Sequence, residues 1–173
     1  MNILAIDTCT EVASVTLYSS NVKTTRVLTD IAKSSGYILK LCDEVFKEVG
    51  NNLQEIDFIS YTKGPGAFTG VRMCIGVVQG LSLSCGIPTL GFSTLELLAF
   101  RASKILKKDK IATAIDARMG EVYWAVYDNG SISNMRICKP ENVDNLGASF
   151  VGVGGGWKVH NDELIKASQI NHT

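Results

Sequence analysis

The stretch Lys63-Gly64-Pro65-Gly66-Ala67-Phe68-Thr69-Gly70-Val71-Arg72 decides how the rest of the chain is read. Two glycines around Pro65 make a sharp turn with bare backbone, since Gly66 can take the positive φ that other residues avoid. Thr69 stands where a helix N-cap belongs, ahead of Val71, Met73, Ile75, Val77, Val78, Leu81 and Leu83. From Thr69 to Cys85 the single charge is Arg72, and Gly70, Gly76 and Gly80 interrupt the apolar surface. A helix apolar on nearly every side must be covered on nearly every side. One face can lie on the chain's own sheet. The other needs a second cover.

A glycine turn ahead of a helix is also the usual form of a phosphate site, because backbone N–H groups there attract anions. The spacing argues against it. Five residues separate Gly64 from Gly70, and Val71-Arg72 follows where a Walker A loop requires Lys and Ser or Thr. Thr69 occupies the place of the third glycine in the dinucleotide fingerprint. The turn reads as structural.

Working outward, Met1 to Asp7 is a short buried strand, and Val12 to Tyr18 alternates with the period of an antiparallel partner. Thr24 to Leu28 adds a third strand. Ile38, Leu41, Cys42, Val45, Phe46 and Val49 recur at helical spacing, and Gly50-Asn51-Asn52 closes that helix. Ile56 to Thr62 is a strand leading into the glycine turn, and Ile87 to Phe92 another. Ser93-Thr94-Leu95-Glu96 matches a capping box for a helix that ends in the Lys104–Lys110 run. Ile111 to Asp116 and Glu121 to Asp128 repeat the strand, Asp, turn, strand pattern of residues 1–18, with a hairpin signal at Asp128-Asn129-Gly130. Residues 131–149 are polar and poorly periodic. Phe150 to Val153 runs into Gly154-Gly155-Gly156, and Asp162 is placed to cap a last short helix. The repeat predicts two lobes, 1–104 and 105–173.

Composition narrows the function. At 173 residues, 46% hydrophobic and 20% charged, the chain is globular, and seventeen basic residues balance seventeen acidic ones. No net field recruits nucleic acid or an anionic membrane. The five cysteines are widely spaced without a C-x-x-C, and His160 and His172 are the only histidines. Reduced, packed thiols and no bound metal are expected. Asp7 ends the first apolar run after four residues, so that run is a strand and not a signal peptide. The 69–85 segment is short and glycine-rich for a membrane span, and the chain reads as cytoplasmic.

Asp7 and Asp116 are strand-end carboxylates in equivalent places. As a pair facing one cleft they could hold a magnesium-bound nucleotide or do acid–base work, with Gly154 and Gly155 approaching an adenine or ribose. Either could instead accept N–H bonds from its own turn, the commoner role. Arg101, Lys104, Lys107, Lys108 and Lys110 fit RNA phosphate or, more often, a solvated helix face. With two late histidines, no Ser-His-Asp or Cys-His arrangement can be built.

Met1-Asn-Ile-Leu-Ala-Ile-Asp-Thr-Cys-Thr-Glu11, Gly64-Pro-Gly-Ala-Phe-Thr-Gly-Val-Arg72, Gly91-Phe-Ser-Thr-Leu95 and Asp116-Ala-Arg-Met-Gly-Glu-Val-Tyr-Trp124 resemble the TsaB (YeaZ) family. That family belongs to the bacterial threonylcarbamoyladenosine tRNA-modification machinery, and the motifs follow its order over most of the chain. The resemblance implies an α/β, actin-like fold of the sugar-kinase and heat-shock ATPase type, with mixed sheets flanked by helices in two lobes. It also implies a non-catalytic scaffold. A paralogous subunit, TsaD, carries the metal site and transfers threonylcarbamoyl to the adenine beside the anticodon; TsaB binds and activates it, and the ATPase TsaE joins the pair. ATP and metal are then expected on partner subunits and none on this chain alone, with tRNA reached indirectly and a homodimer formed in isolation. Peptidase labels once attached to the family find no ligands here.

The sequence departs from the family in two places. Lys33-Ser34-Ser35 stands where relatives carry a His-Ser pair, and relatives usually run past Thr173, so the second lobe is expected to be shortened. The helices at about 33–49 and 69–85 are expected to pair side by side and dock TsaD through Ile38, Leu41, Cys42, Val45, Phe46, Val71, Cys74, Gly76, Val78 and Gly80. The rival is an actin-like nucleotide-binding kinase or hydrolase using Asp7, Asp116 and the Gly154–Gly156 turn.

Overall fold

Alternation is what builds the first sheet. Leu4 and Ile6 point one way from β1 (Ile3–Asp7), and Ala13, Val15 and Leu17 do so from β2 (Ala13–Ser19), each set buried. β3 (Val22–Leu28) completes an antiparallel meander, and β4 (Phe58–Thr62) and β5 (Thr89–Phe92) add in parallel, in the order β3-β2-β1-β4-β5. The computed structural model describes residues 1–29 and 36–170. Lys33-Ser34-Ser35, expected at the start of the first helix, lie outside them.

Two helices cover this sheet. α1 (Ile38–Val49) buries Ile38, Leu41, Cys42 and Val45, and Gly50 ends it at φ 76°, donating its N–H to the Phe46 carbonyl. α2 (Phe68–Cys85) buries Gly70, Cys74 and Val78 and ends at Gly86, φ 67°. Both helices share one core with Leu4, Ile6, Val15, Leu17 and Ile59. Thr69 is not the N-cap of α2. Ala67 holds that position without a side-chain bond, and Thr69 lies inside the first turn.

The second unit repeats the plan. β6 (Lys110–Arg118), β7 (Glu121–Asp128) and β8 (Ser131–Cys138) form a meander, and β9 (Val151–Val153) joins β6 in parallel, giving the order β8-β7-β6-β9. α3 (Thr94–Leu106) precedes this sheet, and α4 (Gly156–Val159) and α5 (Asn161–Ser168) follow it. Trp124 and Trp157, 6.1 Å apart between ring centroids, pack with Phe150, Leu164 and Ile170.

Several features depart from the sequence reading. The units divide between Ser93 and Thr94, not at 104 and 105. α3 packs on β6, β7 and β9, with Ala99 and Ala102 meeting Ile111 and Tyr127, so it belongs to the second unit. Residues 131–138 are a strand, although their polar residues hid the alternation. Asp162 lies in the first turn of α5, whose cap position is His160.

Candidate functional site

The glycine turn leaves β4 and closes on the end of β1. Ala67 donates its N–H to the Cys9 carbonyl at 2.9 Å, and Thr8 Oγ1 donates to the Gly70 carbonyl at 2.6 Å. A Cβ added at Gly66 would lie 2.0 Å from the Cys9 carbonyl oxygen, and one at Gly70 would lie 2.0 Å from that of Thr8. These glycines therefore admit the chain's own backbone. Of the turn's N–H groups, that of Ala67 is taken up by Cys9.

The second unit uses the same device. A Cβ at Gly154 would fall 2.3 Å from the Ala114 carbonyl oxygen, and Gly154 sits at φ 115°. Gly155, by contrast, is exposed and faces open space. The two strand-end carboxylates also match. Asp7 Oδ1 accepts from the Cys9 N–H at 2.9 Å and the Thr62 hydroxyl at 2.7 Å. Asp116 Oδ1 accepts from the Arg118 N–H at 3.0 Å, and its Oδ2 lies 3.2 Å from the Arg118 guanidinium. Each aspartate thus holds its own turn. His160 Nε2 is 3.5 Å from Asp116 Oδ1, too long for a good hydrogen bond. Among the described residues no group of three or more His, Cys, Asp or Glu is arranged to hold a metal ion.

The expected docking residues separate by burial. Ile38, Leu41, Cys42, Val45, Cys74 and Val78 are between 0% and 6% exposed and form the core of the first unit. They cannot be surface contacts in this fold. Helical spacing identifies an apolar stripe, and the chain's own sheet covers it. Phe46 and Val71 are half-buried, and only Gly76 and Gly80 of the ten are exposed.

What α2 turns outward is a different stripe: Thr69, Arg72, Gly76, Gln79, Gly80 and Leu83. Phe68 and Leu83, at its two ends, are 72% and 84% exposed. The Arg72 guanidinium stacks on the Phe68 ring, 3.2 Å from its centroid. Met73 and Val77 flank the stripe half-buried. A Cβ at Gly76 or Gly80 would meet nothing within 4 Å. Each glycine costs about 1 kcal/mol relative to alanine inside a helix, with no return in this unit's own packing. The sequence signal is the four-residue interval of Gly76-Val-Val-Gln-Gly80, which lets a second helix approach closely. α2 is also the one helix among the described residues long and apolar enough to cross a membrane by length and composition, although one of its faces lies in the core.

A family model described as TsaD, tRNA N6-adenosine threonylcarbamoyltransferase, matches residues 31–172. The chain is 38% identical over 172 residues to the tRNA threonylcarbamoyladenosine biosynthesis protein TsaB of Escherichia coli (strain K12), covering 94% of this chain and 74% of that protein. The chain belongs to the TsaB family. It is 36% identical to TsaB of Buchnera aphidicola subsp. Schizaphis graminum, across 96% of this chain and 85% of that one. YeaZ from Pseudomonas aeruginosa superposes with a TM-score of 0.85 at 35% identity, over 94% of this chain and 79% of that one. A second Pseudomonas aeruginosa structure, described as similar to peptidase YEAZ, gives 0.87 at 34% identity, over 99% and 86%. The fold is the actin-like one of the TsaB family, with its duplicated meander-plus-parallel-strand sheet, and the protein is one of tRNA threonylcarbamoyladenosine biosynthesis.

Proposed function

We propose that the protein is a non-catalytic scaffold of the modification complex, cytoplasmic, that docks and activates the TsaD transferase through the outward side of α2. The observation that carries this reading is the pair Gly76 and Gly80: exposed, inside a helix, and unneeded by the fold around them. Close approach by a helix of another chain gives both residues a purpose. Phe68 and Leu83 at the ends of the stripe supply the apolar area that a monomer would otherwise leave in water. The same face would pair two copies of this chain when the transferase is absent.

Catalysis then rests with the partners, TsaD and the ATPase TsaE, which carry the metal and ATP. Two features support this division. The glycine turn closes on the Thr8 and Cys9 backbone, and Asp7 and Asp116 each hold their own turn. The competing reading, an actin-like kinase or hydrolase, requires tight ATP–magnesium binding by the isolated chain with turnover lost in Asp7→Asn. Calorimetry and a phosphate-release assay decide between them.

The docking test uses Gly76→Leu with Gly80→Leu. Both changes enter open space, so the chain should remain folded while co-elution with TsaD and tRNA modification in the reconstituted system fall together. Undiminished co-elution of a folded double variant removes α2 as the docking face.

A further inference from the structure

The C-terminal half of α3 and the turn after it concentrate charge in a chain whose net charge is zero. Residues 101–110 hold five of the seventeen cations and one of the seventeen carboxylates. Arg101, Lys104, Lys107 and Lys108 are all exposed. None of the four enters an ion pair among the described residues. Phe100, half exposed at 50%, lies one helical turn before Lys104, whose Nζ stands 5.2 Å from the ring centroid. The turn beyond is ordered: Lys107 adopts φ 53°, and the Lys108 N–H bonds the Ser103 carbonyl at 3.3 Å.

Compensation of the helix dipole accounts for cations in the last turn. It does not require four unpaired ones, nor an exposed aromatic ring among them. We propose that this face is a direct contact for the phosphate backbone of tRNA, with Arg101, Lys104, Lys107 and Lys108 on successive phosphates and Phe100 against a ribose or base. The choice of RNA over another polyanion rests on the proposed place in tRNA modification, whereas the face itself lies on α3 and owes nothing to the docking side of α2. Local complementarity of this kind works without a basic chain overall, because counterion release depends on the phosphates neutralised and not on net charge.

The test measures binding of an unmodified tRNA transcript to the full chain by fluorescence anisotropy over a salt series, for the native protein and for Lys104→Ala/Lys107→Ala/Lys108→Ala. Native binding should weaken steadily with salt. The triple variant should bind about tenfold or more weakly at low salt, and its log–log salt slope should be shallower by roughly 2, at ~0.7–0.9 for each phosphate that is no longer neutralised. A melting temperature unchanged within a few degrees confirms that the variant is folded. No native binding at low salt, or an unchanged slope in the variant, overturns the proposal. So does salt-sensitive binding to phosphatidylserine vesicles in place of tRNA, which would assign the face to a membrane surface. Co-elution of the same variant with TsaD should be unchanged, because α2 is untouched; the docking face is tested by the Gly76→Leu/Gly80→Leu variant, so failure of one reading leaves the other readable.

Discussion

Thr8 and Gly70 are 62 residues apart in sequence and joined by a hydrogen bond, the Thr8 hydroxyl donating to the Gly70 carbonyl at 2.6 Å. The Thr8 carbonyl oxygen occupies the place where any Cβ at position 70 would stand. The α2 glycines therefore fall into two classes: Gly70 is required by the fold, whereas Gly76 and Gly80 are free of it.

Alanine at these positions should separate the classes. Gly70→Ala should destabilise the first unit by about 1–3 kcal/mol, the usual cost of forcing atoms into a packed site. Gly80→Ala should stabilise it by roughly 0.5–1 kcal/mol through helix propensity. Urea denaturation followed by circular dichroism reads both signs.

Val78→Arg illustrates why the buried docking residues are core residues. Val78 is 2% exposed in the core shared by α1 and α2, so a guanidinium there has neither water nor a partner. The expected outcome is loss of the cooperative unfolding transition, with loss of TsaD binding as a mere consequence. Leu83→Arg, at the exposed end of α2, should keep the transition and weaken only association.

Asp144 should make the second unit acid-sensitive. Burial pushes its carboxyl upward, and hydrogen bonds from the Arg136 guanidinium and the Trp124 indole more than offset this, leaving it below the usual carboxylate value. A group with a depressed folded pKa contributes stability above its unfolded pKa of about 4, and that contribution is lost as pH falls through the folded value. Asp144→Asn should cost about 1–2 kcal/mol at neutral pH and flatten the decline of stability below pH ~4. Tryptophan fluorescence during acid titration is a direct reporter, since Trp124 donates to Asp144 at 2.7 Å.

Thiol reactivity should follow burial. Burial pushes Cys42 up to about 12 and Cys74 up to about 11, whereas Cys85 is exposed at the end of α2. Only the thiolate attacks a disulfide reagent. Ellman's reagent on the native protein should titrate Cys85 quickly, half-buried Cys138 more slowly, and Cys9, Cys42 and Cys74 only on unfolding.

Much of the fold is legible where one face of an element is apolar and the other polar. The strand pairs at 1–18 and 111–128, the buried side of α1, and the glycine stop at Gly50 all follow from local patterns. β8 is not legible because it is an edge strand with polar residues on both faces and Asn134 at φ 55° within an irregular stretch of pairing. α3 reads as part of the first lobe because Ala99 and Ala102 are small. Their packing on Ile111 and Tyr127 leaves no strong stripe to read.

Sequence alone determined the duplicated strand–aspartate–turn plan, the apolar character of residues 69–85 and the family to which the motifs belong. Only the tertiary structure decided which side of α2 is free. Periodicity states which side chains share a face, but not what lies across from it, because that depends on the packing of distant parts of the chain. Cys74 and Val78 meet the sheet, Gly70 meets Thr8, and Gly76 and Gly80 meet nothing among the described residues. The turn that looks like a phosphate loop is a clamp on the end of β1, and the helix it starts presents its two idle glycines outward.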